Sequence, residues 1–363
     1  MIWPFGKKRY LALTGDSRCA LLTEVSRTPS GDALPRLLAR TDNPITSDVA
    51  LPRLLAAAGD VRGLVSLSLP LAFFETATVT LPSMPDAVVG RALPYHLAKA
   101  IHSPLDNVVY DWQITGRQKD RLQVTVYLFP AGIFQKLRRE LLRKEAQLAF
   151  FEPDVFSAFA YLGQGKSLPL EDATLCALIW PDSVSLAVHE KNRIPLARVV
   201  REEQPSIAFQ TEPLEEEIAL PTAEKEEELI ILEEESSPEP PSAASSRDAD
   251  SILADFAILS AGASPTETLE EKTRSTASPG SWPDYLQRII LEIMRTRDYY
   301  ASVQKGASVR NIVVAGANGF WPEFAAQARE LLGTEPVPFA SPAATTDDHP
   351  LLDILARGAG ARW

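Results

Sequence analysis

The chain has 363 residues, a formal net charge of −12 and 45% hydrophobic residues, which is enough to build two domains or one large bilobed one. Its two cysteines, Cys19 and Cys176, lie far apart in sequence, a usage typical of a reducing compartment and not of a disulfide framework. No segment approaches the run of about 20 apolar residues that a membrane-spanning helix needs, and the first residues lack the long apolar core of a signal peptide, so we expect a cytoplasmic protein that contacts a membrane only peripherally.

Alternating apolar residues predict several short strands in the first 201 residues. The predicted strands cover residues 10–13, 20–25, 63–69, 76–81, 107–116 and 121–130, followed by two or three strands joined by tight turns within residues 174–200. Helices are predicted from residue 52, over 84–101 with Pro94 expected to kink or divide the helix, and over 131–149, where apolar residues recur at helical spacing.

The last 80 or so residues repeat the alternation of helix and strand. A long helix is predicted over 282–302, and a buried strand then runs into a glycine-rich turn within 309–320. The next helix, over 321–333, has Pro322 in its first turn and Gly333 at its end, positions typical of these two residues. The alternation predicts an α/β fold.

The negative charge is concentrated in one segment. From Glu202 to Asp250 the chain has 14 Glu and 2 Asp against one Lys and one Arg, a charge of −14, so the remainder of the chain is slightly basic. The basic residues form no stripe and no zinc-finger spacing occurs, so nucleic-acid binding has no support.

Residues 202–280 as a whole are predicted to form a disordered acidic linker. They are rich in Glu, Ser, Pro, Thr and Ala, a composition that cannot bury enough apolar surface to offset the loss of chain entropy. Two apolar islands at 229–232 and 252–259 leave open a docking motif that orders on binding, although a transient helix in a tether is the favoured interpretation.

Motifs for catalysis and metal binding are missing from the sequence. The segment "GQGKS" resembles a P-loop, but Ala160 stands where that motif needs its first Gly, and Pro169 follows where a helix is required. The histidines and cysteines lack metal-ligand spacing, and no Gly-x-Ser-x-Gly elbow is present. We therefore predict no catalytic residue, no metal site and no enzymatic activity.

Three turns remain as candidates for a binding site. They lie at residues 14–17, around Trp180 and at 315–319. Successive turn amides can form a concave nest for a phosphate, although most hairpin tips with Gly and Asp bind nothing. Actin-like folds assemble a nucleotide cleft between two lobes from elements in this order: two hairpin tips, then a strand, a glycine turn and a helix.

The sequence resembles the PilM family, the actin-like cytoplasmic proteins of type IV pilus assembly, which are related in fold to FtsA and to the cytoplasmic domain of GspL. The segments that carry the resemblance are "PFGKKRYLALTGDS", "LPSMPDAVVGRALPYHLAKAIHSPLDNVVYDWQITG", "KLRRELLRKEAQLAFFEPDVFSAFAYL", "DYLQRIILEIMRTRDYYASVQKGASVRNIVVAGANG" and "LLDILARGAGARW". Their order along the chain, more than any single motif, supports the resemblance.

The resemblance implies an α/β, actin-like (RNase H-like) bilobed fold with an inserted α/β subdomain. The implied division is a first lobe of residues 1–81 and 150–170, an inserted subdomain of 82–149, and a second lobe of 171–201 and 281–363. The acidic linker, 202–280, would replace the second small subdomain, which in the family helps to close over the nucleotide.

The same resemblance implies a vestigial nucleotide site. Its residues would be Thr14, Gly15, Asp16, Ser17, Gly316, Asn318 and Gly319. The family's first hairpin has an Asp where this chain has Leu13, and Trp180 and Pro181 replace small residues of the second hairpin. Two lost hydrogen bonds to a charged group cost about 3 to 6 kcal/mol, out of about 8 kcal/mol for a micromolar site, so we expect ATP to bind weakly or not at all.

The implied function is that of a non-catalytic scaffold on the cytoplasmic face of the inner membrane, in a type IV pilus or type II secretion platform. Its partner would be the cytoplasmic tail of a PilN-like bitopic membrane protein, bound in a groove between the first lobe and the inserted subdomain. The alternative is an actin-like ATPase with a diverged but working ATP site that uses Asp16, Ser17 and Asp182. An FtsA-like polymer ranks last, because "ILARGAGARW" reads as a short helix broken by glycines and not as a membrane-targeting helix.

Overall fold

The computed structural model describes residues 9–28, 33–101, 103–164, 172–191, 193–205, 281–304, 306–316, 320–339 and 350–362. The chain divides into two units, one of Met1–Pro205 with Glu270–Trp363 and one of Ser206–Leu269. The second unit, and with it the expected acidic linker beyond Pro205, lies outside the described residues.

The described elements are thirteen strands and seven helices longer than one turn. The strands are β1 (Tyr10–Gly15), β2 (Ala20–Arg27), β3 (Ala33–Thr41), β4 (Gly63–Leu69), β5 (Glu75–Pro82), β6 (Val108–Arg117), β7 (Arg121–Pro130), β8 (Ala146–Pro153), β9 (Thr174–Ile179), β10 (Ser183–Glu190), β11 (Arg193–Arg201), β12 (Asn311–Ala315) and β13 (Val337–Pro338). The helices are α1 (Ala50–Ala57), α2 (Asp86–Ala100), α3 (Ala131–Arg143), α4 (Asp154–Gln164), α5 (Trp282–Ser302), α6 (Trp321–Leu332) and α7 (Pro350–Ala361).

Two five-stranded sheets share one topology. The first has the order β3-β2-β1-β4-β8 and the second the order β11-β10-β9-β12-β13. In the first sheet, β1 pairs antiparallel with β2 and parallel with β4. In the second sheet, β9 pairs in the same way, antiparallel with β10 and parallel with β12. The predicted bilobed α/β fold is therefore present as a duplicated sheet, and the β1–β2 and β9–β10 hairpins occupy equivalent places.

A third sheet, of order β5-β7-β6, is inserted between β4 and β8 of the first lobe. Its core packs Val79, Val124 and Val126 of the strands against Val89 and Leu93 of α2. The sheet takes in β5, which precedes the expected start of the insert at residue 82.

Helix α3 packs into the core of the first lobe and also contacts β6 and β7 of the inserted sheet. Leu137 and Leu141 belong to the core of the first lobe. The helix was predicted to continue to residue 149, and this was wrong: it ends at Arg143, Glu145 turns the chain with a φ of 56°, and β8 then pairs parallel with β4. From Ala146 the backbone pairs with β4, and this tertiary pairing outweighs the helical spacing of the apolar residues.

Two further differences concern single elements of the first half. Helix α2 runs without a division through Pro94. Strand β3, which pairs along its length with β2, was not predicted, because "ALPRLLART" has no regular alternation of apolar residues.

Helix α7 is buried along nearly its whole length. Its glycines were expected to break the helix, and this was wrong, since the helix continues through Gly358 and Gly360. A Cβ on Gly358 would lie 1.8 Å from the carbonyl oxygen of Ser157 in α4, and one on Gly360 would lie 2.4 Å from Cγ1 of Val25. The glycines thus let α7 pack closely on α4 and on the first sheet, and this packing outweighs a helix-propensity cost of about 1 kcal/mol for each Gly.

Candidate functional site

The first hairpin tip is closed by its own side chain. Asp16 Oδ1 accepts hydrogen bonds from the backbone N–H groups of Arg18, at 2.7 Å, and Cys19, at 2.8 Å. These are the amides that would face a phosphate in a nest. A carboxylate of the same hairpin therefore occupies the donors, and the turn is an Asx-type turn.

The neighbouring residues of this hairpin are buried against protein. A Cβ on Gly15 would lie 3.0 Å from the carbonyl oxygen of Cys19, so the missing side chain serves the hairpin itself. Thr14 is fully buried, and its hydroxyl has no hydrogen-bond partner among the described residues. Ser17 alone of the four predicted hairpin residues is partly exposed. The structure brings Thr14, Gly15, Asp16 and Ser17 together at one tip.

The second hairpin tip is a tight turn covered by the chain that leaves the second sheet. The backbone N–H of Trp180 donates to the carbonyl of Ser183 at 2.8 Å, with Pro181 at a turn position where Pro is favoured. Pro181 has no N–H to offer an anion. The backbone N–H of Gln204 donates to the Pro181 carbonyl at 2.9 Å and that of Glu202 to the Asp182 carbonyl at 3.3 Å.

Trp180 is hydrogen-bonded to a buried carboxylate. Its Nε1–H donates to Asp154 Oδ2 at 2.6 Å, and the hydroxyl of Ser185 donates to the same oxygen at 2.6 Å. Asp154 Oδ1 accepts from the backbone N–H groups of Val155, at 2.8 Å, and Leu71, at 3.0 Å. Four donors thus converge on one buried carboxylate.

Burial raises the pKa of Asp154 to about 6, from an ordinary 3.8, while the donors from Ser185, Trp180, Val155 and Leu71 oppose the rise. Desolvation penalises the charged form, and hydrogen bonds to the carboxylate favour it. Strongly shifted carboxyl groups occur at active sites and also at structural junctions. Here every oxygen of the carboxylate faces a protein donor, which indicates a junction.

The third predicted turn lies beside the second hairpin. Gly316 has a φ of +95°, and a Cβ there would lie 2.2 Å from the carbonyl oxygen of Ile179, the residue before Trp180. Only Gly fits such a position. Asn318 and Gly319 lie outside the described residues. In the part of the chain that the structure describes, no group of three or more His, Cys, Asp or Glu side chains is arranged to hold a metal ion.

An open groove of about 520 Å³ lies between the inserted sheet and the first lobe. Half-buried and buried aromatic side chains line it, from β6, β7, β8, α3 and α4: Tyr110, Trp112, Phe129, Phe134, Phe151 and Phe156. The ring of Phe151 meets those of Phe129 at 4.8 Å and Phe134 at 5.4 Å between centroids. Pockets of this size and lining suit a side chain or short segment of a ligand.

The groove runs along two strand edges. Residues 109–113 of β6 and 149–153 of β8 all line it, and β6 and β8 are the last strands of their sheets. Side chains of a strand alternate between its faces, so five consecutive residues line a groove only where it follows the edge. The backbone N–H of Trp112 donates to the exposed carboxylate of Asp111 at 2.8 Å, which covers one donor of the β6 edge.

One end of the groove is charged. Glu152 is buried, and Arg362 forms an ion pair with it at 3.0 Å while the hydroxyl of Ser157 donates to its other oxygen at 2.6 Å. Burial raises the pKa of Glu152, and Arg362 and Ser157 oppose the rise. Arg362 also donates to the Phe156 carbonyl at 3.3 Å. Arg362 thus contributes to this end of the groove.

The sequence prediction named the groove but none of its residues. A partial signal was present in "AFFEPDVF", since the adjacent Phe150 and Phe151 lie on opposite faces of a strand, whereas Tyr110 and Trp112 of "VVYDW" share one face. A two-sided aromatic strand has no single buried face. Only the structure shows that the two segments lie opposite each other.

Among the described residues, no helix is both long enough and apolar enough to pass through a membrane.

No family model matches the chain, and no curated protein matches it. A chain of the PilM–PilN type IV pilus biogenesis complex has a similar structure, with a TM-score of 0.55 and 16% identity over 97% of this chain and 96% of that one. The cytoplasmic domain of EpsL, an inner-membrane component of the type II secretion system of Vibrio cholerae, has a TM-score of 0.36 and 14% identity over 53% of this chain and 71% of that one. The ethanolamine utilization protein EutJ of Carboxydothermus hydrogenoformans has a TM-score of 0.42 and 10% identity over 99% and 92%. The first likeness confirms the predicted fold: the chain is built as an actin-like protein similar to that chain of the PilM–PilN complex.

Proposed function

We propose that this chain is a non-catalytic cytoplasmic scaffold of a type IV pilus or type II secretion inner-membrane platform. Its partner is the cytoplasmic tail of a PilN-like bitopic membrane protein, and the tail binds in the aromatic groove between the first lobe and the inserted sheet of β5, β6 and β7. The protein itself is peripheral to the inner membrane.

The groove is the observation that carries the proposal. It is about 520 Å³ in volume and lined by partly exposed rings, which monomeric proteins expose mainly where they bind a partner. Its course along the edges of β6 and β8 suits an extended segment, which can add main-chain hydrogen bonds to a strand edge and place alternate side chains in pockets.

The charges of the groove agree with a cytoplasmic tail. The charged residues that line it are Asp111, Glu152 and Arg362, and Arg362 is paired with Glu152. Cytoplasmic segments next to a membrane span carry an excess of Lys and Arg. A basic residue of the tail would therefore find Asp111, which is exposed, at the rim.

The nucleotide cleft supports the non-catalytic half of the proposal. The first tip offers its amides to Asp16, and the second tip carries Trp180 and Pro181 where a nucleotide would need room and donors. We propose that Thr14, Gly15, Asp16, Ser17, Gly316, Asn318 and Gly319 are vestiges of a phosphate site. ATP is then bound weakly or not at all, and no cofactor is needed.

The test is an affinity capture from detergent-solubilised native membranes with the full chain as bait. Ala149, exposed on β8 and part of the groove wall, is replaced by Trp to fill the groove without removing a buried contact. The matched control is Ala98→Trp, an equal substitution at an exposed position of α2 outside the groove. We expect a small bitopic membrane protein to be captured by the wild type and by Ala98→Trp, and at least about tenfold less by Ala149→Trp.

Equal capture by both variants would place the binding site elsewhere, and capture of no membrane protein would remove the scaffold proposal. The ATPase alternative has its own readout on the same preparation. Magnesium-dependent ATP binding that Asp16→Ala abolishes would favour an enzyme, because it would show that Asp16 serves a ligand and not its own turn.

A further inference from the structure

Trp180 lies where the two lobes meet. It is 1% exposed, and it belongs to one apolar cluster with Cys19 and Leu21 of the first hairpin and with Leu178 and Val313 of the second sheet. A large aromatic side chain from the tip of the second hairpin is thus buried in a core that the first hairpin shares.

The polar edge of the same indole completes a bridge between the sheets. Trp180 and Ser185 of the second sheet donate to Asp154 Oδ2, and Leu71, the residue that begins the turn after β4 of the first lobe, donates to Oδ1. The Leu71 N–H also lies 3.3 Å from the Ser185 hydroxyl. A buried hydrogen bond to a charged acceptor is among the stronger ones, so the carboxylate of Asp154 links the Leu71 backbone of the first lobe to side chains of the second sheet.

Each hairpin tip has polar groups that are satisfied within the chain, by different means. Asp16 supplies the anion of the first tip from within the chain. In the second tip Pro181 lacks an N–H, and its carbonyl accepts from Gln204. Both tips therefore use donors or acceptors within the chain, and the Trp180 ring is buried in the cluster that also contains Cys19 of the first hairpin.

We propose that Trp180 is a built-in ligand of the cleft, in which its indole stands in place of a bound nucleotide and, through Asp154, holds the first and second sheets together. The inference deepens the proposed function, because it names what fills the degenerate cleft. It also gives the cleft a chemical class of ligand once Trp180 is removed: a planar heteroaromatic molecule with an N–H donor, of the size of indole.

The test uses thermal unfolding of the purified full chain. Trp180→Ala is expected to lower the unfolding midpoint by about 10 °C, as large-to-small changes of buried aromatics do. Indole should then raise the midpoint of this variant, since a ligand that binds only the folded state stabilises it. Indene, which has a similar shape and no N–H, should raise it much less, and neither compound should affect the wild type.

The matched control is Trp282→Ala, which removes a half-buried Trp of α5 that stacks on Phe320 and whose Nε1 has no hydrogen-bond partner among the described residues. Indole should not restore this variant. If Trp180→Ala does not fold, Trp180→Phe keeps most of the ring volume and loses the N–H, and hydrogen exchange at the Leu71 amide should be faster than in the wild type.

Three results would overturn the inference. They are no effect of indole on folded Trp180→Ala, equal effects of indole and indene, and stabilisation of the wild type by magnesium ATP. In the variant that keeps the ring, unchanged exchange at Leu71 would overturn it as well. None of these readouts depends on a membrane partner, so the inference can fail while the scaffold proposal stands, and the reverse.

Discussion

The cleft and the groove are two interfaces of one chain with opposite properties. The cleft joins two equivalent hairpins, and there a Trp is 1% exposed and every oxygen of its carboxylate partner accepts hydrogen bonds from protein donors. The groove joins two strand edges, and about 520 Å³ stays open between partly exposed rings. The comparison shows that one chain can bury the residues at its hairpin tips and still leave an open aromatic groove beside its inserted sheet.

The physical difference lies in how each place satisfies its polar groups. In the cleft, hairpin donors and the buried carboxylate of Asp154 are matched within the chain, so a ligand would have to displace existing bonds. Along the groove, β6 and β8 each end a sheet, and an edge strand presents backbone groups that another segment can pair with.

The largest expected loss of stability comes from a substitution in helix α7, which packs closely on α4. Gly358→Ala places a Cβ where the carbonyl oxygen of Ser157 lies 1.8 Å away, and backbone cannot yield as a flexible side chain can. We expect a loss of about 3 kcal/mol or more in the free energy of unfolding, at the upper end for overpacking. Urea unfolding measures it.

The matched control for that variant is Gly132→Ala in α3, where a Cβ would meet nothing within 4 Å. This change should leave the free energy of unfolding equal or slightly higher, because Ala favours a helix more than Gly does. Similar losses in the two variants would show that α7 is not packed as closely as the structure has it.

A smaller effect is expected at Asp154, where the prediction concerns pH. Because the folded pKa of about 6 lies above the ordinary 3.8, the folded state holds an extra proton between these values, and the contribution of this group to stability falls as pH rises from about 4 to 7. A shift of about two units corresponds to roughly 3 kcal/mol.

Asp154→Asn removes the titration and turns an NH2 group towards the Trp180 N–H and the Ser185 hydroxyl, which are donors to Oδ2 in the wild type. The other titratable group that senses Asp154 is the buried Cys176 thiol, whose pKa burial and Asp154 raise, so it stays neutral over this range. We expect the variant to be less stable by about 2 kcal/mol at pH 4 to 5, with the difference shrinking as pH approaches 7. Urea unfolding at each pH measures the difference in free energy of unfolding between the wild type and Asp154→Asn. A difference that grows with pH would contradict a raised pKa for Asp154.

The smallest effect on stability is expected for a substitution in the groove, where the readout is partner capture. Asp111 is exposed, and its replacement by Ala should change the free energy of unfolding by no more than about 0.5 kcal/mol. Capture of the proposed membrane partner should nevertheless weaken, and its dependence on salt should become shallower, because one attraction for the proposed basic tail is lost. Asp120→Ala, in the exposed turn between β6 and β7 and outside the groove, is the control; equal effects on capture would exclude a role for charge at the groove rim.

The candidate site was foreseen in part. The positions of the two hairpins and of the glycine turn at Gly316 followed from local turn chemistry, which Gly, Pro and Asp carry in the sequence itself. The use of Asp16 and Trp180 did not follow, since Asp16 was interpreted as a residue of a vestigial phosphate site and Trp180 as a bulky replacement in the second hairpin. The carboxylate that receives the Trp180 N–H lies 26 residues earlier in the chain, and no periodicity links the two.

The fold shows the same division. Helices such as α5 and hairpins such as β6–β7 were predicted from spacing alone, because their stabilising contacts are mostly local or between neighbours in sequence. The end of α3 at Arg143 and the continuation of α7 through Gly358 were not, because each depends on a partner far along the chain, β4 in one case and α4 in the other.

By itself, then, the sequence determined the alternation of helices and strands, the hairpin turns, the order of segments that resembles an actin-like protein and the concentration of acid beyond Glu202. Tertiary structure decided that Trp180 is buried on Asp154, that the glycines of α7 are sites of close packing, and that "VVYDW" and "AFFEP" face each other across a groove. The reason is physical: turns and periodicities are properties of a few neighbouring residues, whereas burial, shifted pKa values and grooves arise only when distant segments exclude water together.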